Sequence, residues 1–268
     1  MRAIRLLRIG LTVHDLGAAE SFYTSALGFR RTGDPEPDPV LSSLSGAHVR
    51  RILLQRGGQA LELAQFDPPG APYPPDRSSN DLWFQHCALV TDDIEAAYAS
   101  LREHSFTPIS RNGPQRLPGG IVAYKFRDPE GHPLELIQFP HPDPATAGGI
   151  DHSAIAVADA ERSIAFYVQE LGLRVQARQV NTGPGQDALD GLADTRVDVV
   201  ALAAEHPAPH IELLGYRVPQ GRPAPPMRPM DIAATRLVLA STGASTVLTR
   251  DPDGHALLLH AGGFTATT

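Results

Sequence analysis

Apolar and polar positions along this chain recur in one order: a short alternating strand, an Asp, an amphipathic helix, then more short strands. Leu11-Thr12-Val13 alternates as a strand does, and Asp15 follows where a helix N-cap belongs. The predicted helix puts Ala19, Phe22, Tyr23 and Ala26 on one stripe, and Gly28 closes it. The order returns in Ile155-Ala156-Val157, Asp159, a stripe of Ile164, Tyr167, Val168 and Leu171, and Gly172. Asp15 and Asp159 lie 144 residues apart, as do Gly28 and Gly172. A weaker copy runs from His86-Cys87-Ala88-Leu89-Val90 through Asp93 to Tyr98. Constant spacing of this kind marks one folding unit used repeatedly.

Short strands follow each helix. Arg51-Ile52-Leu53-Leu54 and residues 60–64 flank Gly57-Gly58, and residues 198–202 precede His210-Ile211-Glu212-Leu213-Leu214. Residues 124–137 read as a hairpin about Asp128-Pro129-Glu130-Gly131, whose Pro and Gly suit a tight reversal. Asp251-Pro252-Asp253-Gly254-His255 repeats that turn, but Leu258 stands where the first copy has Glu135. A carboxylate on an apolar strand is costly unless it is paired or metal-bound, so Glu135 is a candidate for chemistry. The unit is therefore βαβββ. Two units fill residues 1–140, a Pro/Gly-rich linker spans 141–149, and a second pair fills 150–268. In the last unit Thr242-Gly243-Ala244-Ser245 leaves room for a turn but not a helix. The expected class is α+β, with two domains that each roll a sheet around a cup.

Composition narrows the function. Hydrophobic residues make up 42% of the 268, enough for packed cores. A net charge of −7 argues against nucleic-acid binding. No apolar run reaches the length of a membrane span, and no signal-peptide core opens the chain, so no membrane partner is expected. The single Cys87 precludes an intrachain disulfide and fits a cytoplasmic setting. The 25 Pro and 24 Gly cluster in loops such as residues 67–75 and 219–229.

The strand-Asp-helix-Phe-Tyr-x-x-x-Leu-Gly pattern and the Asp-Pro-x-Gly-His-x-x-Glu pattern resemble the vicinal oxygen chelate (VOC) superfamily. That superfamily includes glyoxalase I, extradiol ring-cleaving dioxygenases, fosfomycin-resistance enzymes and bleomycin-resistance binding proteins. The resemblance implies metal positions in the first and last strand of each unit. Carried onto this chain, the first cup offers Arg8, Glu62, His86 and Glu135; the second offers His152, Glu212, Ala234 and Leu258. Glu62, His86 and Glu135 are the expected ligands of a divalent Fe, Mn, Ni or Zn ion, with Glu135 and Arg8 as catalytic candidates and His152 and Glu212 as a weaker pair. A cluster of His152, His210, Glu212 and His260 is an alternative. Arg8 cannot ligate, because guanidinium stays protonated, and it is expected to pair with Glu62 or Glu135 or to orient an anionic substrate. Two readings follow. One is a metal-dependent lyase/isomerase or dioxygenase acting on a small oxygenated molecule. The other is a metal-free small-molecule-binding protein of the bleomycin-resistance type. A homodimer is left open. His132 and His255 are expected to be turn residues, and Asn181, Gln186 and Asp187 to lie in a loop near a cup.

Overall fold

A computed structural model describes residues 2–206 and 208–261, so the last seven residues of the expected second domain lie outside the described chain. The first unit contains β1 (Ala3–Val13), α1 (Leu16–Leu27), α2 (Pro39–Ser45), β2 (His48–Arg56) and β3 (Gln59–Asp67). The second contains β4 (Gln85–Val90), α3 (Ile94–Leu101), β5 (Val122–Arg127) and β6 (Pro133–Gln138). The third contains β7 (Ile150–Ala156), α4 (Ala160–Ala165), β8 (Arg174–Thr182), α5 (Pro184–Asp190), β9 (Arg196–Ala203) and β10 (His210–Val218). The fourth has β11 (Arg236–Ser241), β12 (Val247–Arg250) and β13 (Ala256–Ala261), with no helix among its described residues.

The helices start where the Asp residues placed them. Asp15, Asp93 and Asp159 each accept the third following backbone N–H at 3.0 Å, satisfying a donor that the helix itself leaves free. Gly28, at φ 69, closes α1 in the left-handed region. One expected apolar position differs. Val168 is 37% exposed, because α4 gives way to a π-helical turn at Phe166–Glu170 whose extra residue rotates Val168 out of the stripe.

The two repeated motifs meet. The buried Tyr23 hydroxyl of α1 donates to Asp128 Oδ2 at 2.9 Å. Asp128 Oδ1 accepts the backbone N–H groups of Glu130, Gly131 and His132, which fixes the turn. His132 bridges Asp128 Oδ2 (2.8 Å) and the Thr12 carbonyl (2.9 Å), so both ring nitrogens face acceptors. Burial opposes its charged form, but Asp128 outweighs this and raises its pKa. Tyr167, Asp251 and His255 repeat the arrangement in the second half, with Tyr167 to Asp251 at 3.1 Å and His255 to the Ala156 carbonyl at 2.8 Å. Both histidines are thus the scaffold residues expected.

The sheets combine the units differently from the sequence order. β1 pairs antiparallel with β11, so the first and fourth units share an eight-stranded sheet. β4 pairs antiparallel with β7, so the second and third units share a nine-stranded sheet. Each cup therefore belongs to both halves of the chain. The expectation that each half closes its own cup is corrected on this point. β4 is buried at every position, so its apolar run carries no record of which strand lies beside it.

Candidate metal centre

The register shows which residues are equivalent. Within each unit the first strand pairs in parallel with the last: Gly10 with Glu62, Ala88 with Glu135, Ala154 with Glu212, and Val238 with Leu258. Two residues before the first member of each pair stand Arg8, His86, His152 and Arg236. At the seams Arg8 lies opposite Val238 and Arg236 opposite Gly10, as His86 lies opposite Ala154 and His152 opposite Ala88. Arg236, not Ala234, is thus the fourth unit's counterpart of the histidines.

The second–third cup gathers His86, Glu135, His152 and Glu212. His86 Nε2 lies 2.8 Å from Glu135 Oε2. His152 Nε2 lies 3.6 Å from both Glu135 Oε2 and Glu212 Oε2. One donor atom each from His86, Glu135 and His152 falls within a mutual 4.8 Å. His152 Nε2 is buried without a hydrogen-bond partner. Its Nδ1 donates to Asp151 Oδ2 at 2.9 Å, since a carboxylate only accepts. That bond turns Nε2 inward toward the carboxylates, as the outer partner of a ligating histidine does.

The charges favour a cation at this point. Burial opposes the protonated form of His152, but Glu212, Asp151 and Glu135 prevail and hold its pKa well above the ordinary value. Burial and the nearby Lys125 push His86 the other way, so its imidazole is neutral. Burial works against the Glu135 carboxylate, yet Lys125, His152 and His86 keep its pKa well below the usual range. Two imidazoles and one carboxylate that converge, with the Glu212 carboxylate 3.6 Å from His152 beside them, suit a divalent transition metal. The residues fit the group that this donor set implies.

A cavity of about 390 Å³ opens above these four side chains. Its lining includes Asn181 and Gln186, so the loop expected near a cup does reach one, while Asp187 turns away and accepts the Thr195 backbone N–H. Lys125 Nζ donates to Asp190 Oδ1 at 2.7 Å across the cavity wall, both side chains being buried. His210, beside Glu212 at 3.4 Å, joins the cluster. His260 does not: it is exposed on β13 in the other sheet and bonds the Ala261 carbonyl.

The first–fourth cup is chemically different. Arg8 Nε meets Glu62 Oε2 at 2.7 Å, and Arg51 reaches the same oxygen at 3.3 Å. Arg236 NH2 stands 3.7 Å from Glu62 Oε1, and its NH1 donates to Thr12 Oγ1 at 2.6 Å. Leu41, Val49, Phe66, Val238 and Leu258 fill the remaining space. Glu62 is therefore not beside His86 and Glu135, and Arg8 does not reach Glu135. The expected set of Glu62, His86 and Glu135 splits between two cups, and of the two weaker candidates His152 converges with His86 and Glu135 while Glu212 lies 3.6 Å from His152.

Sequence reasoning missed Asp151, Lys125, Asp190, Arg51 and Arg236. Asp151 adjoins His152 in sequence, which was a signal, but strict alternation would put it on the opposite face. A β-bulge between Ile150 and His152 brings the two together.

Known proteins match this chain as follows. The family model "Glyoxalase/Bleomycin resistance protein/Dioxygenase superfamily" matches residues 5–136 and 149–264. A lactoylglutathione lyase from Arabidopsis thaliana is 31% identical over 93 residues, 34% of this chain and 31% of the relative. A lactoylglutathione lyase from Oryza sativa subsp. japonica is 30% identical over 105 residues, 38% of this chain and 34% of the relative. The chain thus spans about a third of these relatives' lengths. Glyoxalase I from Zea mays has a similar fold, with a TM-score of 0.63 at 18% identity over 95% of this chain and 91% of that one. So does a putative dioxygenase from Bacillus subtilis subsp. subtilis str. 168, at 0.58 and 11% identity over 99% and 88%.

Proposed function

The chain belongs to the glyoxalase/bleomycin resistance protein/dioxygenase superfamily, and from that premise we propose that it is a metal-dependent enzyme of lyase/isomerase type acting on a small oxygenated organic molecule. His86, Glu135, His152 and Glu212 would hold one divalent ion, Fe, Mn, Ni or Zn. The observation that carries this reading is the unpartnered, buried Nε2 of His152 facing two carboxylates 3.6 Å away. A divalent ion there supplies Lewis acidity, which makes a C–H beside a coordinated oxygen easier to deprotonate.

The side chains divide the remaining work. Glu135 is buried and bonded to His86, so it holds its place. The Glu212 side chain is 20% exposed and lies at the cavity side of the group. Burial resists its ionised form, but His152 and His210 lower its pKa and keep it a carboxylate, and its position on the cavity side makes it the group placed to take a proton. Asp151 fixes the His152 ring. A cytosolic setting suits the lone buried thiol of Cys87. Of the described cup carboxylates Glu62, Glu135 and Glu212, the one paired with arginine, the basis of the metal-free reading, is Glu62.

Proton transfer is tested by isotope exchange. Protein reconstituted with each of the four metals is incubated in D2O with α-hydroxyketones and 2-oxo compounds, and NMR follows deuterium at the carbon next to the carbonyl. Exchange in loaded wild type is expected, with the rate per bound metal lost in Glu212→Gln, whose metal content is measured in the same sample. A loaded protein that exchanges none of the panel, or a Glu212→Gln variant as fast as wild type, contradicts the assignment.

A further inference from the structure

Lys125 is the one lysine or arginine among the described residues that line the cavity over the proposed metal ligands. The fold does not require a charge at its position. By register, Leu53 opposite Glu62, Ala201 opposite Glu212 and Leu248 opposite Leu258 are the counterparts of Lys125 opposite Glu135. The first, third and fourth units thus place an apolar side chain where the second carries an ammonium. Stability does not explain the charge either, because a buried lysine–carboxylate pair is often no more stable than apolar residues in its place.

The geometry suits a ligand. Side chains alternate along β5, so Lys125 faces the cup with Ala123 and Glu135, while Tyr124 and Phe126 pack into the main core. Its Nζ donates to Asp190 Oδ1 at 2.7 Å. The end of α5 that carries Asp190 is tied to the second unit, where the Ser79 and Ser110 hydroxyls donate to the Asp190 and Leu189 carbonyls at 2.8 Å. The ammonium is therefore held in place, and it has three N–H groups, of which Asp190 takes one. Burial opposes its charge, but Asp190 and Glu135 prevail and raise its pKa, so it donates hydrogen bonds and keeps its proton.

We infer, on the metal-site reading above, that Lys125 is a catalytic residue whose ammonium donates to the ligand oxygen that gains negative charge as Glu212 takes the proton. The proton leaving carbon passes to Glu212, and the C–H electron pair becomes a carbon–carbon π bond. The carbonyl π pair moves onto the oxygen, where a fixed positive donor stabilises it.

Isothermal titration calorimetry on metal-loaded protein, with metal content measured in the same sample, tests this with two probes. Acetohydroxamate binds as an oxygen anion, and imidazole is a neutral metal ligand with no oxygen. The variants are Lys125→Met and the pair Lys125→Met/Asp190→Asn. The pair leaves no buried carboxylate unmatched, so it separates loss of the ammonium from repulsion by a bare Asp190, and it decides the matter if Lys125→Met alone does not fold. Acetohydroxamate is expected to bind both variants about tenfold or more weakly than wild type, with imidazole affinity and metal content unchanged. A loss of less than about threefold in the pair overturns the inference, as does an equal loss for both probes. If about one metal is present per wild-type chain and acetohydroxamate does not bind, the role of Lys125 is wrong while the metal reading stands. If no metal is retained after reconstitution, the metal reading fails and takes this inference with it.

Discussion

Glu62 is where the account departs furthest from what the family pattern implies, and replacing it separates stability from metal binding. The Glu62 side chain is fully buried, and its carboxylate meets Arg8 at 2.7 Å, Arg51 at 3.3 Å and Arg236 at 3.7 Å. Arg236 is itself 1% exposed. Glu62→Gln removes the charge but keeps an acceptor for Arg8, so it leaves buried guanidinium groups without their counter-ion. Breaking a buried pair in this way costs roughly 3–5 kcal/mol, and the retained acceptor puts this case near 3. For a chain of this size that is a fall in Tm of roughly 6–12 °C. Burial raises the Glu62 pKa, but Arg8, Arg236 and Arg51 prevail and hold it below its ordinary 4.5. A depressed carboxylate pKa contributes stability that is full above the unfolded value and is lost as pH falls through the folded one. The gap between wild type and Glu62→Gln should therefore be constant near neutral pH and narrow below about pH 4.5. Thermal unfolding at a series of pH values reads both effects, with metal content measured alongside. A variant that unfolds within about 2 °C of wild type and loses its metal would refute this placement of Glu62.

Two further outcomes follow from the scaffold. Tyr23→Phe removes the hydroxyl that donates to the buried Asp128 at 2.9 Å, and urea unfolding should show a loss of about 1–3 kcal/mol with an unchanged m-value. A Cβ at Gly10 would lie 3.1 Å from Arg236 Nε and 3.2 Å from Glu62 Oε1, so Gly10→Val should cost about 1–3 kcal/mol by overpacking that cluster, with metal content unaffected.

The unit was legible in the sequence because each of its parts has local causes. Asp15, Asp93 and Asp159 cap their helices, Gly28 ends one, and the Asp128 and Asp251 turns carry their own hydrogen bonds. These signals sit within a few residues of what they determine. The site was legible residue by residue but not as a set. His86, Glu135, His152 and Glu212 were all marked by the family pattern, yet their grouping depends on β4 lying beside β7, a contact between strands more than 50 residues apart. β4 is buried at every position and β7 at all but Asp151, so neither gives an alternation from which a partner can be chosen. Arg236 was passed over because β11, buried at all six positions, has no polar face to set its register. Lys125 lies directly across from Glu135 in the hairpin, but its partner Asp190 comes from α5 of another unit.

The most direct measurement of the central claim is metal per chain, by elemental analysis after reconstitution, in wild type and in His152→Ala, Glu212→Gln and Glu62→Gln. The account predicts about one ion in wild type and in Glu62→Gln, with marked loss in His152→Ala and Glu212→Gln. Metal retained by His152→Ala and lost from Glu62→Gln, or none in wild type under any loading, would contradict it.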